Sequence, residues 1–277
     1  MSGAKSVTRS KQSSSRLDVR PVGSIKRPAS VVLYGPSGSG KTTLAASAPK
    51  KMLYLDIKDE GTDSIADVKG VDVLEVGEWS DFEDAFWWLQ KNSDAYKSVV
   101  IDTCTQLQTM AVEELKAGKK RSGKFAHKKL GDFGTLTKQD WGDIAGLMKE
   151  WLTNYRDLTQ LGMNVVFIAQ HRTFNMDDDE GSNGELAPEV GPALSPSIAK
   201  HLNASVNVIG NTFIRERTIV KELKGGKKEK TKKIEYCLGV GPSALYIRKV
   251  RKPKSVKLPD VIIDPEWDDI VELKQGA

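Results

Sequence analysis

Residues 31–34 read Val-Val-Leu-Tyr and run straight into Gly35-Pro36-Ser37-Gly38-Ser39-Gly40-Lys41-Thr42. A short continuous apolar run suits a strand buried on both faces. The Gly-rich turn ends in Lys-Thr, and a helix is expected from about Lys41 to Ala48, stopping near Pro49. Strand, glycine-rich turn and helix in this order match the phosphate-binding loop pattern in full. Phosphate binding requires these residue types. Glycines let backbone amides approach phosphate oxygens, and the helix N-terminus adds partial positive charge. Such a unit needs a parallel sheet with helices against it. The expected fold class is therefore α/β.

The rest of the chain continues that alternation. Strands are expected at Met52–Leu55, Val71–Val76, Ser98–Asp102 and Asn164–Ala169. Ser80-Asp81-Phe82-Glu83 reads as a capping box opening a helix with Phe82, Phe86 and Leu89 on one face. A helix follows Asp102 to about Lys116, and the basic stretch 117–134 reads as a loop. Thr137 caps a long helix whose Trp141, Ile144, Met148, Trp151, Leu152, Tyr155 and Leu158 repeat at helical spacing, a core stripe. Residues 171–196 read as a long loop. Strands at 205–209 and 211–223, a hairpin tip at Gly225-Gly226, its return through 234–240 and a last strand at 244–250 make an antiparallel C-terminal extension. The expected organisation is a disordered basic tail over 1–29, a core over 30–265 and a C-terminal tail over 266–277.

Charge is distributed unevenly. Residues 1–30, 116–129, 221–233 and 247–257 together carry +24 in a chain of net charge +5, so the other 209 residues carry −19. Basic blocks on an acidic body point to a polyanion-binding face. No apolar run approaches the ~20 residues of a membrane span, and the Ser- and Lys-rich N-terminus lacks the apolar segment of a secretory signal. Two cysteines, Cys104 and Cys237, are too few for a disulfide framework. The expected setting is cytoplasmic, without a membrane partner.

The site residues follow from the loop. Gly35, Pro36, Ser37, Gly38, Ser39, Gly40, Lys41, Thr42 and Thr43 are expected to cradle the phosphates of ATP. Lys41 reaches the β- and γ-phosphates, and the Thr42 hydroxyl ligates Mg²⁺. Asp102 ends an apolar strand and is the second Mg²⁺-associated residue. Thr103 follows it where AAA+ proteins typically have Glu, which points away from that branch. The sequence also lacks the Leu-Ser-Gly-Gly-Gln signature of ABC ATPases and the Asn-Lys-x-Asp guanine reader.

Taken with the loop, Val99 to Asp102 followed by Thr103-Cys104-Thr105, the segment Val165 to Arg172 containing Gln170, and Tyr246 to Lys254 resemble the RecA-like ATPases. The chain is most similar to the core-only RecA-like recombinases of phages, which act as single-strand annealing proteins. The resemblance covers about residues 30–265, with no room for further DNA-binding domains. It implies that Gln170 senses the γ-phosphate and leads into a DNA-binding loop starting at Arg172. It implies that Arg251 and Lys254 reach the ATP of a neighbouring subunit in a ring or filament. It also places a first DNA loop at 118–129, where Lys119, Lys120, Arg121, Lys124, Lys128 and Lys129 track phosphates and Phe125 stacks on a base. The family's water-positioning Glu, two residues beyond Asp56, is here Lys58, and Glu60 is the substitute candidate. The implied function is ATP-dependent single-stranded DNA binding with annealing or strand exchange, in the host cytoplasm for a phage protein, with a single-strand DNA-binding protein as a further partner. An ATP-regulated accessory protein of a replication helicase and a P-loop kinase are the alternatives.

Overall fold

The computed structural model describes residues 21, 27–58, 61–121, 136–174, 189–222 and 228–275. Glu60, Lys124, Phe125, Lys128 and Lys129 lie outside them, as do nearly all of the tail 1–29 and the hairpin tip.

Eleven strands and six α-helices are present among the described residues. In chain order they are β1 (Ser30–Tyr34), α1 (Lys41–Ala46), β2 (Met52–Asp56), β3 (Val71–Glu75), α2 (Trp79–Lys91), β4 (Ser98–Asp102), α3 (Cys104–Arg121), α4 (Lys138–Asp157), β5 (Asn164–Ala169), β6 (His171–Phe174), β7 (Glu189–Pro192), α5 (Pro196–Ser205), β8 (Val208–Glu222), β9 (Lys228–Gly239), β10 (Lys249–Val250), β11 (Val261–Ile263) and α6 (Trp267–Gln275). The main sheet has the order β11-β9-β8-β1-β5-β4-β2-β3, with β10 pairing β8. From β8 to β3 the neighbours are parallel, whereas β9, β10 and β11 join antiparallel. This is a mostly parallel α/β sheet flanked by helices with an antiparallel C-terminal extension, as the alternation of the sequence implies.

Two-residue periodicity splits the core. Val32 and Tyr34 of β1 face α2, α3, α4 and α5, while Val31 and Leu33 face α1 and α6. The first face holds an aromatic cluster in which Phe82 and Tyr155 stack at 4.4 Å and the Tyr155 hydroxyl donates to the Phe82 carbonyl at 2.7 Å. Burying each of these rings contributes roughly 1.5–3 kcal/mol.

Several expectations need correction. Helix α2 starts before Ser80: Asp81 accepts from the amides of Gly77 and Glu78 at 2.9 and 3.0 Å, and Glu83 instead takes the Trp79 indole N–H at 2.9 Å. Aspartate fits that reciprocal capping as well as glutamate. Helix α3 runs past Lys116 to Arg121, so the backbone of Lys119, Lys120 and Arg121 is helical rather than loop. Lys and Arg are good helix formers, and Gly118 costs only about 1 kcal/mol. Trp141, one turn ahead of the buried stripe of α4, is 43% exposed, while Ile144, Met148, Trp151, Leu152, Tyr155 and Leu158 are buried. The expected loop 171–196 contains the β6–β7 pair and leads into α5, which has Pro196 at its start. Ser205 ends that helix, and β8 continues unbroken through Gly210. Of 244–250 only Lys249 and Val250 pair as strand. The C-terminal tail includes α6, whose Trp267, Ile270 and Leu273 pack against α1 and the sheet. Their three-residue spacing is a helical stripe too short to stand out in the sequence.

Candidate nucleotide-binding site

The sheet order positions the site. β5 lies between β1 and β4, with Tyr34 level with Ala169 and Ile101 level with Phe167. The chain ends of the three strands therefore deliver the glycine-rich loop, Gln170 and Asp102 side by side at one edge. Clefts outside the carboxyl ends of parallel strands are where such folds bind ligands. Here the cleft has a volume of about 670 Å³ and is lined by loop residues 37–44 together with Gly61, Asp102, Gln170, Thr212 and Tyr236.

The loop is held from below by β8. A Cβ on Gly35 would stand 2.3 Å from the Thr212 carbonyl oxygen, so only glycine fits there. The Ser39 hydroxyl bonds the Thr212 hydroxyl at 2.6 Å and the Pro36 carbonyl at 2.7 Å. Gly40 takes φ 85° immediately before α1, a left-handed turn that glycine adopts without strain. Lys41 is 8% exposed, and its ammonium donates to the carbonyls of Gly35 and Pro36 at 3.1 and 2.7 Å. The charge is thus held by the carbonyls of the loop's own turn.

Thr42 and Asp102 meet as expected: the Thr42 hydroxyl donates to Asp102 Oδ2 at 3.1 Å. A Cβ on Gly61 would lie 3.6 Å from that oxygen and 3.9 Å from the Thr42 hydroxyl, so glycine keeps space open beside both. A hydroxyl and a carboxylate bordering open space suit a hard, oxygen-binding divalent cation. The two residues fit Mg²⁺. Tyr54 of β2 also donates its hydroxyl to Asp102 Oδ2. Burial, then the Asp102 charge, push the Tyr54 phenol well above its ordinary pKa.

Gln170 is exposed and lines the cleft; its backbone N–H donates to the Thr105 hydroxyl at 3.2 Å, and its backbone carbonyl accepts from the Ala193 N–H at 2.7 Å. β6 starts at the next residue, and Arg172 is exposed on it with its guanidinium 5.3 Å from the Phe174 ring centre. Lys58 takes φ 52° and pairs with Glu113 at 2.8 Å, so its side chain is directed onto α3.

Arg251 and Lys254 are not in this cleft. Val250 is level with Val208, which is level with Val31 at the start of β1. The glycine-rich loop follows the other end of that strand, about 13 Å away. Arg251 donates to the Ala204 carbonyl at 2.5 Å, and Lys249 to the carbonyls of Asn203 and Ala204 at 2.6 and 3.0 Å. These cations close the C-terminal end of α5, where they complement the helix dipole. Burial and Arg251 pull the Lys249 amine down to about 8.

The sequence reading missed Tyr54, Gly61, Thr212 and Tyr236. Thr212 and Tyr236 had no local signal, because their place depends on β8 pairing with β1. Tyr54 carried one: a hydroxyl inside a strand that is otherwise aliphatic up to Asp56.

A family described as "AAA domain" matches residues 27–251. A solved structure of EssC (ATPases 2 and 3) from Geobacillus thermodenitrificans is 15% identical with a TM-score of 0.30, over 66% of this chain and 29% of that one. The chain thus aligns with less than a third of that protein's length. No curated protein matches. No helix among the described residues is long and apolar enough to cross a membrane. The family match corrects the expectation drawn from Thr103, which pointed away from the AAA type. With most of its length matched and a complete phosphate-binding loop in place, the chain belongs to the AAA-domain family of P-loop ATPases, which suggests ATP binding and hydrolysis.

Proposed function

We propose that this chain is an ATP-hydrolysing, RecA-like single-stranded DNA-binding protein that assembles with copies of itself and promotes annealing or strand exchange. The observation that carries this reading is the placement of Gln170. It lines the nucleotide cleft, and the residues directly after it leave the cleft as an exposed strand bearing His171 and Arg172. A γ-phosphate contact at Gln170 would then bias the conformation of the segment that follows, a nucleotide-dependent switch.

Thr42 and Asp102 would hold Mg²⁺ on the nucleotide, where the ion neutralises charge on the phosphates. Lys41 orients the phosphate chain, and the loop amides bind its oxygens. Arg251 and Lys254, at the opposite edge of the sheet from their own cleft, serve the cleft of a neighbouring copy. The segregated basic blocks supply the phosphate contacts to DNA, with Arg172, Lys119, Lys120 and Arg121 among them.

ATP turnover measured with and without single-stranded DNA tests the reading. DNA is expected to stimulate turnover, and Gln170→Ala to remove the stimulation while ATP still binds. Turnover indifferent to DNA but dependent on a small acceptor would favour a kinase. Nucleotide binding with no response to DNA would favour a helicase accessory role.

A further inference from the structure

Tyr54 lies on β2, two residues before the strand's end, and is fully buried. It is level with Val100 on β4, while Asp102 stands two residues further along that strand. Two strand residues span about 6.6 Å, which a phenol can bridge and a serine or threonine hydroxyl cannot. The Tyr54 hydroxyl reaches Asp102 Oδ2, the same oxygen that accepts from Thr42. Asp102 is 3% exposed, so bulk water does little to set the orientation of its carboxylate. The fixed tyrosine donor does, from the face of the sheet on which α1 packs.

From this geometry we infer that Tyr54 is a positioning residue that orients the Asp102 carboxylate for the divalent cation and so sets the Mg²⁺ affinity of the nucleotide site. The inference rests on the reading of Thr42 and Asp102 as the cation's residues. Thr42 borders the open cleft, whereas Tyr54 is fully buried, so the tyrosine hydroxyl is the donor to the carboxylate that a nucleotide and cation entering the cleft would leave in place. Hydrogen bonds from outside the ligand set commonly matter to metal affinity by ten- to a hundredfold.

The test is a Mg²⁺ titration followed by the fluorescence of a bound mant-ATP, for the full chain and for Tyr54→Phe. The variant keeps the ring and loses only the hydroxyl. The expected result is a rise of roughly tenfold in the Mg²⁺ concentration at half-effect, with mant-ATP affinity in EDTA within about twofold of the parent. A second measurement uses Asp102→Ala: adding Tyr54→Phe to it is expected to change the Mg²⁺ midpoint no further. An unshifted midpoint, an equal loss of affinity with and without Mg²⁺, or additive effects in the double variant would each overturn the inference while leaving the nucleotide site intact. If the parent chain binds mant-ATP without any response to Mg²⁺, the assignment of Thr42 and Asp102 fails and the inference falls with it.

Discussion

The two edges of the central sheet are built on different principles. At one edge, β1, β4 and β5 end together and bring Lys41, Asp102 and Gln170 to one cleft, with Lys41 held by the carbonyls of its own glycine-rich loop. At the other, Lys249 and Arg251 bind the last carbonyls of α5, and Asn164 and Asn207 accept from the amides of Ala29 and Ser30 at 2.8 and 3.1 Å. The first edge joins a motif that is local in sequence to strand ends that the sheet order brings beside it. The second is specified by which strands and helices happen to meet. One edge can therefore carry a nucleotide site, while the cations of the other are engaged by the C-terminal end of α5.

The largest expected effect breaks the first edge outright. Gly35→Ala forces a Cβ against the Thr212 carbonyl, and the loop must move. A loss of about 3 kcal/mol in stability, seen in chemical denaturation, should accompany loss of ATP binding. Lys41→Ala comes next: turnover should fall about a hundredfold with the thermal midpoint little changed, read by phosphate release and calorimetry. Arg251→Ala should separate the two edges. ATP binding by dilute protein should stay intact, while turnover at assembling concentrations falls at least tenfold, toward the scale of a trans-acting arginine. An equal effect on dilute protein would trace instead to the lost contact with α5 and would contradict a role in a neighbour's cleft.

The smallest effect concerns the β8–β9 hairpin. Glu235 accepts from Arg215 at 2.6 and 3.1 Å, and that guanidinium holds its carboxyl below the usual carboxylate range. A carboxyl whose pKa is depressed on folding adds stability above its unfolded value of 4.5, and that contribution is lost as pH falls through the lower folded value. Glu235→Gln should thus be less stable than the parent near neutrality, and the gap should close below about pH 4.5. Urea midpoints across that range check this. Arg215 is 41% exposed, so the effect should be small.

This contrast also explains what could be read beforehand. The glycine-rich loop, Asp102 and the buried strands are legible because backbone chemistry restricts them to few residue types at fixed spacing. The Thr137 cap of α4 was legible for the same reason, with Thr137 accepting from the Asp140 amide at 3.2 Å. The join between α5 and β8 was not, because the apolar residues from Val206 to Ile209 suit a buried strand that could equally begin at Ser205. The roles of Thr212 and Tyr236 were illegible because each depends on a neighbouring strand far away in sequence, whereas Tyr54 left only the weak mark of one hydroxyl in an aliphatic strand. Arg251 was expected to reach a neighbouring copy's nucleotide, and its place at the far edge of its own sheet became visible only with the pairing of β10 and β8.

The measurement that bears most directly on the central claim is the fluorescence anisotropy of labelled single-stranded DNA titrated with this protein, with and without ATP-Mg²⁺, across a salt series. Binding should tighten with ATP-Mg²⁺ and weaken steeply with salt, the logarithmic slope giving about 0.7 per phosphate neutralised. Affinity that ignores the nucleotide, or no binding even at low salt, would contradict a DNA contact coupled through Gln170.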